Sequence, residues 1–100
     1  MFKKIMIGIL ICSLQACASA RIPQELQKGK MSFASGDYKA AFRELMPLAS
    51  EGSVEAEYAV GYMYYYGYGV TRDTQSGMFW MQKAADKHNK QAIKALSMIH

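Results

Sequence analysis

Apolar residues along this chain recur at helical spacing. Ala41, Leu45, Leu48 and Ala49 fall at intervals of three, four and seven residues, and Ala56, Ala59, Val60 and Met63 do the same further on. Such intervals gather side chains on one stripe of an α-helix. No stretch alternates with period two for long enough to form a strand, so the predicted class is all-α. A shift of 36 residues lays the first stripe on Gly77, Met81, Ala84 and Ala85 and the second on Ala92, Ala95, Leu96 and Ile99. A period in this range marks stacked supersecondary units, each burying its apolar face against the next.

The breaks between stripes fall where helical hairpins need them. Gly36-Asp37 ends a first helix of about residues 24–35 and starts a second, with Asp37 as N-cap and Gly36 free to take a positive φ. Gly52-Ser53 separates the second helix from a third of about residues 54–66. Gly67-Tyr68-Gly69-Val70 then turns the chain, Asp73 or Thr74 caps a fourth helix reaching about His88, and a fifth occupies about residues 90–99. Pro47 lies inside the second helix and predicts a kink there.

The first twenty residues carry a different pattern: Lys3 and Lys4, an uncharged apolar run from Ile5 to Leu14, then small residues. The run falls short of the roughly 20 apolar residues that span a bilayer, so residues 1–20 read as a removable export signal and residues 21–100 as one helical domain. Two cleavage sites stay open. Ala18-Ser19-Ala20 would release a soluble chain, and Leu14-Gln15-Ala16-Cys17 resembles a lipobox whose Cys17 would be diacylated. The expected location is periplasmic or secreted, with a membrane anchor if Cys17 carries lipid.

Composition narrows the function classes. Of 100 residues, 12 are Lys or Arg and 8 are Asp or Glu; the segment 1–20 holds two of the cations and none of the acids, leaving about +2 on the rest. That balance is too mild for a nucleic-acid partner. Both cysteines, Cys12 and Cys17, lie in the export segment, so the domain has no pair for a disulfide or a metal.

Ala59-Val60-Gly61-Tyr62-Met63-Tyr64, then Gly67-x-Gly69-Val70-x-x-Asp73, then Trp80 and Lys83-Ala84-Ala85 resemble the signature of the Sel-one-like repeat (SLR), a tetratricopeptide-related family. The resemblance covers about residues 24–99. It implies a short right-handed α-solenoid of antiparallel helix pairs, about five helices here, and a role as an exported adaptor or scaffold without cofactor. Three departures stand out: Gly77 replaces a usual Ala, His88 replaces a usual turn Gly, and the chain stops at His100 before the last pair is complete. Independent of the family, the small side chains at Gly61, Gly77, Ala84 and Ala85 let helices approach closely, while Leu45, Met63 and Trp80 fill wider gaps.

On the third helix, Tyr58, Tyr62 and Tyr65 form a stripe opposite Ala56, Val60 and Met63, and the line continues through Lys94 and Met98 on the fifth. In a solenoid of this kind the first helix of each pair lines the concave face. These five residues are therefore the candidate contacts for a peptide or partner protein. The competing expectation is that the tyrosines pack on the first hairpin. Tyr64 reads as hairpin packing, while Tyr66 and Tyr68 at the loop fit either use. The last helix, bearing Ala92, Ala95, Leu96 and Ile99, offers a surface for self-association unless Lys90, Gln91 and Lys94 cap it.

Catalytic constellations do not assemble from these residues. His88 and His100 lack a spaced metal partner, Glu55 and Glu57 diverge on a helix, and Gly67-x-Gly69 follows no strand that would make it a phosphate loop. The basic tilt of Arg72, Lys83, Lys87, Lys90 and Lys94 fits either an acidic partner or a solvated face. The reading is thus a non-enzymatic interaction module. The alternative is a small secreted hydrolase of the same repeat family, acting on cell-wall or β-lactam material.

Overall fold

The computed structural model describes residues 22–99, and these form five helices and no strand. They are α1 over residues 22–34, α2 (Tyr38–Ser50), α3 (Val54–Tyr66), α4 (Thr74–Asp86) and α5 (Lys90–Ile99). The expected export signal, residues 1–20, and Cys17 lie outside the described residues.

Burial follows the repeat. Ala41, Leu45 and Leu48 on α2 are matched, 36 residues on, by buried Gly77, Met81 and Ala84 on α4; Ala56 and Val60 on α3 are matched by buried Ala92 and Leu96 on α5. Consecutive helices therefore bury equivalent stripes against one another, as a helical-repeat solenoid requires. Leu26, Phe33, Phe42, Tyr64 and Trp80 close over the core of the first units. Tyr64 meets Phe42 edge-on at 5.3 Å, which makes it the packing residue its position implies.

Three helix ends share one cap. After α1, Gly36 (φ 89°) donates to the Phe33 carbonyl and Asp37 to that of Ser32; after α2, Gly52 (φ 98°) and Ser53 reach Ala49 and Leu48; after α4, His88 (φ 69°) and Asn89 reach Ala85 and Ala84. This pairing of two amides with the last carbonyls is the Schellman arrangement, which needs a left-handed residue at its centre. The fourth helix thus ends at Asp86, two residues before the expected His88, because His88 itself takes the left-handed turn conformation. Asp37, Asp73 and Asn89 cap the starts of α2, α4 and α5 by accepting from the N–H groups of Ala40, Ser76 and Ala92. The Ser76 hydroxyl and N–H hold the Asp73 carboxyl below its ordinary value.

Pro47 does not interrupt α2, which runs unbroken to Ser50. It sits on the exposed side beside Arg43, where water can serve the carbonyl that its missing N–H leaves over. The closest helix approach is between α3 and α4. A Cβ on Gly61 would lie 2.8 Å from the Gly77 carbonyl oxygen, and one on Gly77 would lie 2.8 Å from the Gly61 carbonyl oxygen. The loop between these helices folds back over the start of α2: Gly69 abuts the Tyr38 backbone, and the Tyr68 ring sits 4.8 Å from that of Tyr38.

Candidate functional site

The first helices of the successive units, α1, α3 and α5, line one side of the molecule, and the grooves of interest lie between them. Tyr58, Tyr62 and Tyr65 project from α3, and Lys94 and Met98 from α5; all five border one groove of about 410 Å³. Tyr66, Gln91 and Ile99 complete its walls, with Met81 of α4 behind. The arrangement follows from the core. Because Ala56, Val60 and Met63 are sealed inside, the residues rotated to the other side of α3 are left to face α5.

The groove extends toward α1. Lys30, Phe33, Tyr58 and Tyr62 border a second cavity of about 430 Å³ between α1 and α3, and Tyr58 also borders a third of about 530 Å³ that reaches Lys90 and Gln91 on α5. Tyr58 is therefore shared by all three.

The tyrosine row also packs within the chain through Tyr62, so the competing expectation of packing on the first hairpin holds in part. Tyr62 meets Phe33 of α1 edge-on at 6.2 Å and stacks on Tyr68 at 5.9 Å, with the ring planes 7° apart. Tyr58, Tyr62 and Tyr65 are each half-buried, whereas Lys94 is exposed and Met98 is 76% exposed. Burial pushes the Tyr58 phenol above its ordinary value of 10.0, aided by Tyr66, and does the same to Tyr62, aided by Tyr68, Tyr66, Tyr58 and Tyr38. At neutral pH Tyr58 and Tyr62 are thus uncharged, and the row presents ring edges with hydroxyl tips, a surface suited to amphipathic contacts.

Sequence reasoning left Tyr66 open and missed Gln91 and the α1 side of the groove. Tyr66 sits one turn beyond Tyr62 and Gln91 one turn before Lys94, so their spacing carried a signal. Lys30 and Phe33 carried none, because α1 does not register with the 36-residue period. The turn after α1 is short, whereas residues 67–73 form a longer loop after α3.

The basic residues of the C-terminal half do not form one uniform solvated face. Lys87 Nζ lies 2.9 Å from Oε2 of the fully buried Glu57, Lys83 lies over the Trp80 ring at 4.7 Å, and Arg72 Nε donates to the Tyr65 carbonyl. Among the described residues no three His, Cys, Asp or Glu side chains converge on a metal-sized site. None of their helices is long and apolar enough to cross a membrane.

Stacked helical hairpins with a groove along their first helices define a helical-repeat protein. Residues 54–89, which comprise α3, the glycine loop and α4, match the family model of the Sel1 repeat, consistent with a Sel1-like repeat protein. Sel1 repeats generally mediate protein–protein interactions and are typically non-catalytic.

Proposed function

We propose that this chain is an exported, non-catalytic adaptor that binds a peptide or partner-protein segment along the groove of α1, α3 and α5. The observation that carries the reading is the convergence of Tyr58, Tyr62, Tyr65, Lys94 and Met98 on one groove, with the tyrosines half-buried and Met98 open to solvent. Rigid aromatic rings with hydroxyl tips give a partner large contact area at low entropic loss. Export is supported by Lys3-Lys4, the Ile5 to Leu14 run and Ala18-Ser19-Ala20, and an envelope anchor by the lipobox-like residues ending at Cys17. Ala92 and Leu96, expected to offer a surface to a second copy, are buried within the chain, so self-association through α5 would have to use its outer side, where Ile93 is 48% exposed.

The test is site-specific photocrosslinking in intact cells, with a benzophenone side chain at Met98 and a control at exposed Phe79 on α4, followed by mass spectrometry. The proposal expects one protein adduct from Met98 and none from Phe79, and a mature N-terminus at Cys17 or Arg21. Adducts from Phe79 alone, or an intact Met1, would contradict the binding face or the export respectively.

A further inference from the structure

The groove has an unbalanced rim. Lys94 borders the groove and Lys90, one turn before it on α5, borders the adjoining cavity that shares Tyr58; neither ammonium has an ion pair or hydrogen-bond partner among the described residues. Among the described residues that border these cavities the one carboxylate is Glu55, and it lies 3.4 Å from Lys30 Nζ. Three lysines therefore face a single acid already engaged by one of them. The opposite wall consists of the α3 tyrosines.

Resting on the adaptor reading above, we infer that the groove takes an extended acidic peptide in which Asp or Glu at two alternate positions flanks a large apolar or aromatic residue. Four residues along a helix advance about 6 Å, and two residues along an extended chain advance about 6.6 Å, so alternate acids match the Lys90 and Lys94 spacing. Alternate side chains of an extended segment point the same way and the one between them points oppositely. With the acids toward α5, the middle residue meets Tyr58, Tyr62 and Tyr65. The tyrosines supply contact area and the lysines select the sign of the charge.

A random peptide display library panned on the full chain, as isolated from the cells that express it, tests this. The enriched sequences are expected to carry Asp or Glu on both sides of Phe, Tyr, Trp, Leu or Met. A synthetic acid-apolar-acid peptide should bind at least about tenfold more weakly to the Lys90→Ala, Lys94→Ala double variant. Raising salt from about 50 to about 500 mM should weaken it as well. The Lys90→Glu, Lys94→Glu variant should instead select basic peptides. Both lysines are exposed, so unchanged circular dichroism and melting of these variants would assign the loss to binding. Neutral or basic peptides that bind wild type and are lost on Met98→Ala would overturn the acidic inference while leaving the adaptor reading. Enrichment of nothing that depends on groove residues would overturn both.

Discussion

Lys87 reaches back 30 residues to put its ammonium 2.9 and 3.1 Å from the two carboxylate oxygens of Glu57, and it also donates to the Gly52 carbonyl at 3.3 Å. One side chain thus ties the end of α4 to the turn before α3 and to the first turn of α3. Glu57 is fully buried while the Lys87 side chain is 43% exposed, so water reaches only the cation. Removing the lysine strands a buried carboxylate. Lys87→Ala should destabilise the fold by about 1–3 kcal/mol in urea denaturation, below the range for fully buried pairs because the cation is partly hydrated. A Glu57→Leu, Lys87→Met double variant should recover most of that loss, since no charge remains inside.

Gly61 and Gly77 set the distance between α3 and α4. Alanine at either position raises helix propensity by about 1 kcal/mol, yet its methyl would meet backbone atoms that cannot swing aside. Gly61→Ala and Gly77→Ala should each lower stability by a net of about 1–3 kcal/mol. Gly36→Ala differs in mechanism, because nothing lies within 4 Å of its Cβ and only the positive φ opposes it. Its loss should stay near 1 kcal/mol. Equilibrium unfolding of the three variants side by side checks the order.

His88 holds a left-handed φ of 69° in a cap whose counterparts after α1 and α2 use glycine. Glycine there removes the Cβ strain and loses some unfolded-state restriction. His88→Gly should raise the melting temperature, with a gain of about 0.5–1 kcal/mol. No change or a loss would show that the imidazole contributes more than the backbone preference.

The raised phenol pKa values of Tyr58 and Tyr62 make stability depend on alkaline pH. A folded pKa above the unfolded value means the folded state holds its proton longer, so the contribution is full below about pH 10 and is lost as pH rises beyond it. Absorbance near 295 nm should show these phenols ionising later than free tyrosine. Unfolding midpoints should fall as pH rises above about 10, less steeply in a Tyr58→Phe, Tyr62→Phe variant.

Much of the fold was legible because repetition does not depend on distant contacts. The 36-residue register of Leu45 with Met81 and of Val60 with Leu96 predicted which side chains are buried, and Asp37, Gly36 and Gly52 marked their caps correctly. The α3 and α5 side of the groove followed from helical rotation alone. What the sequence hid depends on pairs far apart in the chain. Glu57 falls on Ile93 in the repeat, so nothing local announced a buried carboxylate, and Lys87 looked like one more surface cation. Phe33 reaches Tyr62 across the α1–α3 packing and Tyr68 because the loop after α3 folds back, contacts that no short-range spacing records.

Tyr62 is a poor single probe of the groove, since it stacks on Tyr68 and packs on Phe33 as well as lining the cleft. Met98 separates the two roles, being 76% exposed and on the groove's α5 wall. The most direct measurement is the affinity of Met98→Ala for the partner that photocrosslinking identifies, set beside its melting temperature. The account predicts binding weakened by about fivefold or more with the melting temperature unchanged, and no weakening for Phe79→Ala on α4. Unchanged binding by Met98→Ala, or a loss confined to Phe79→Ala, would contradict it.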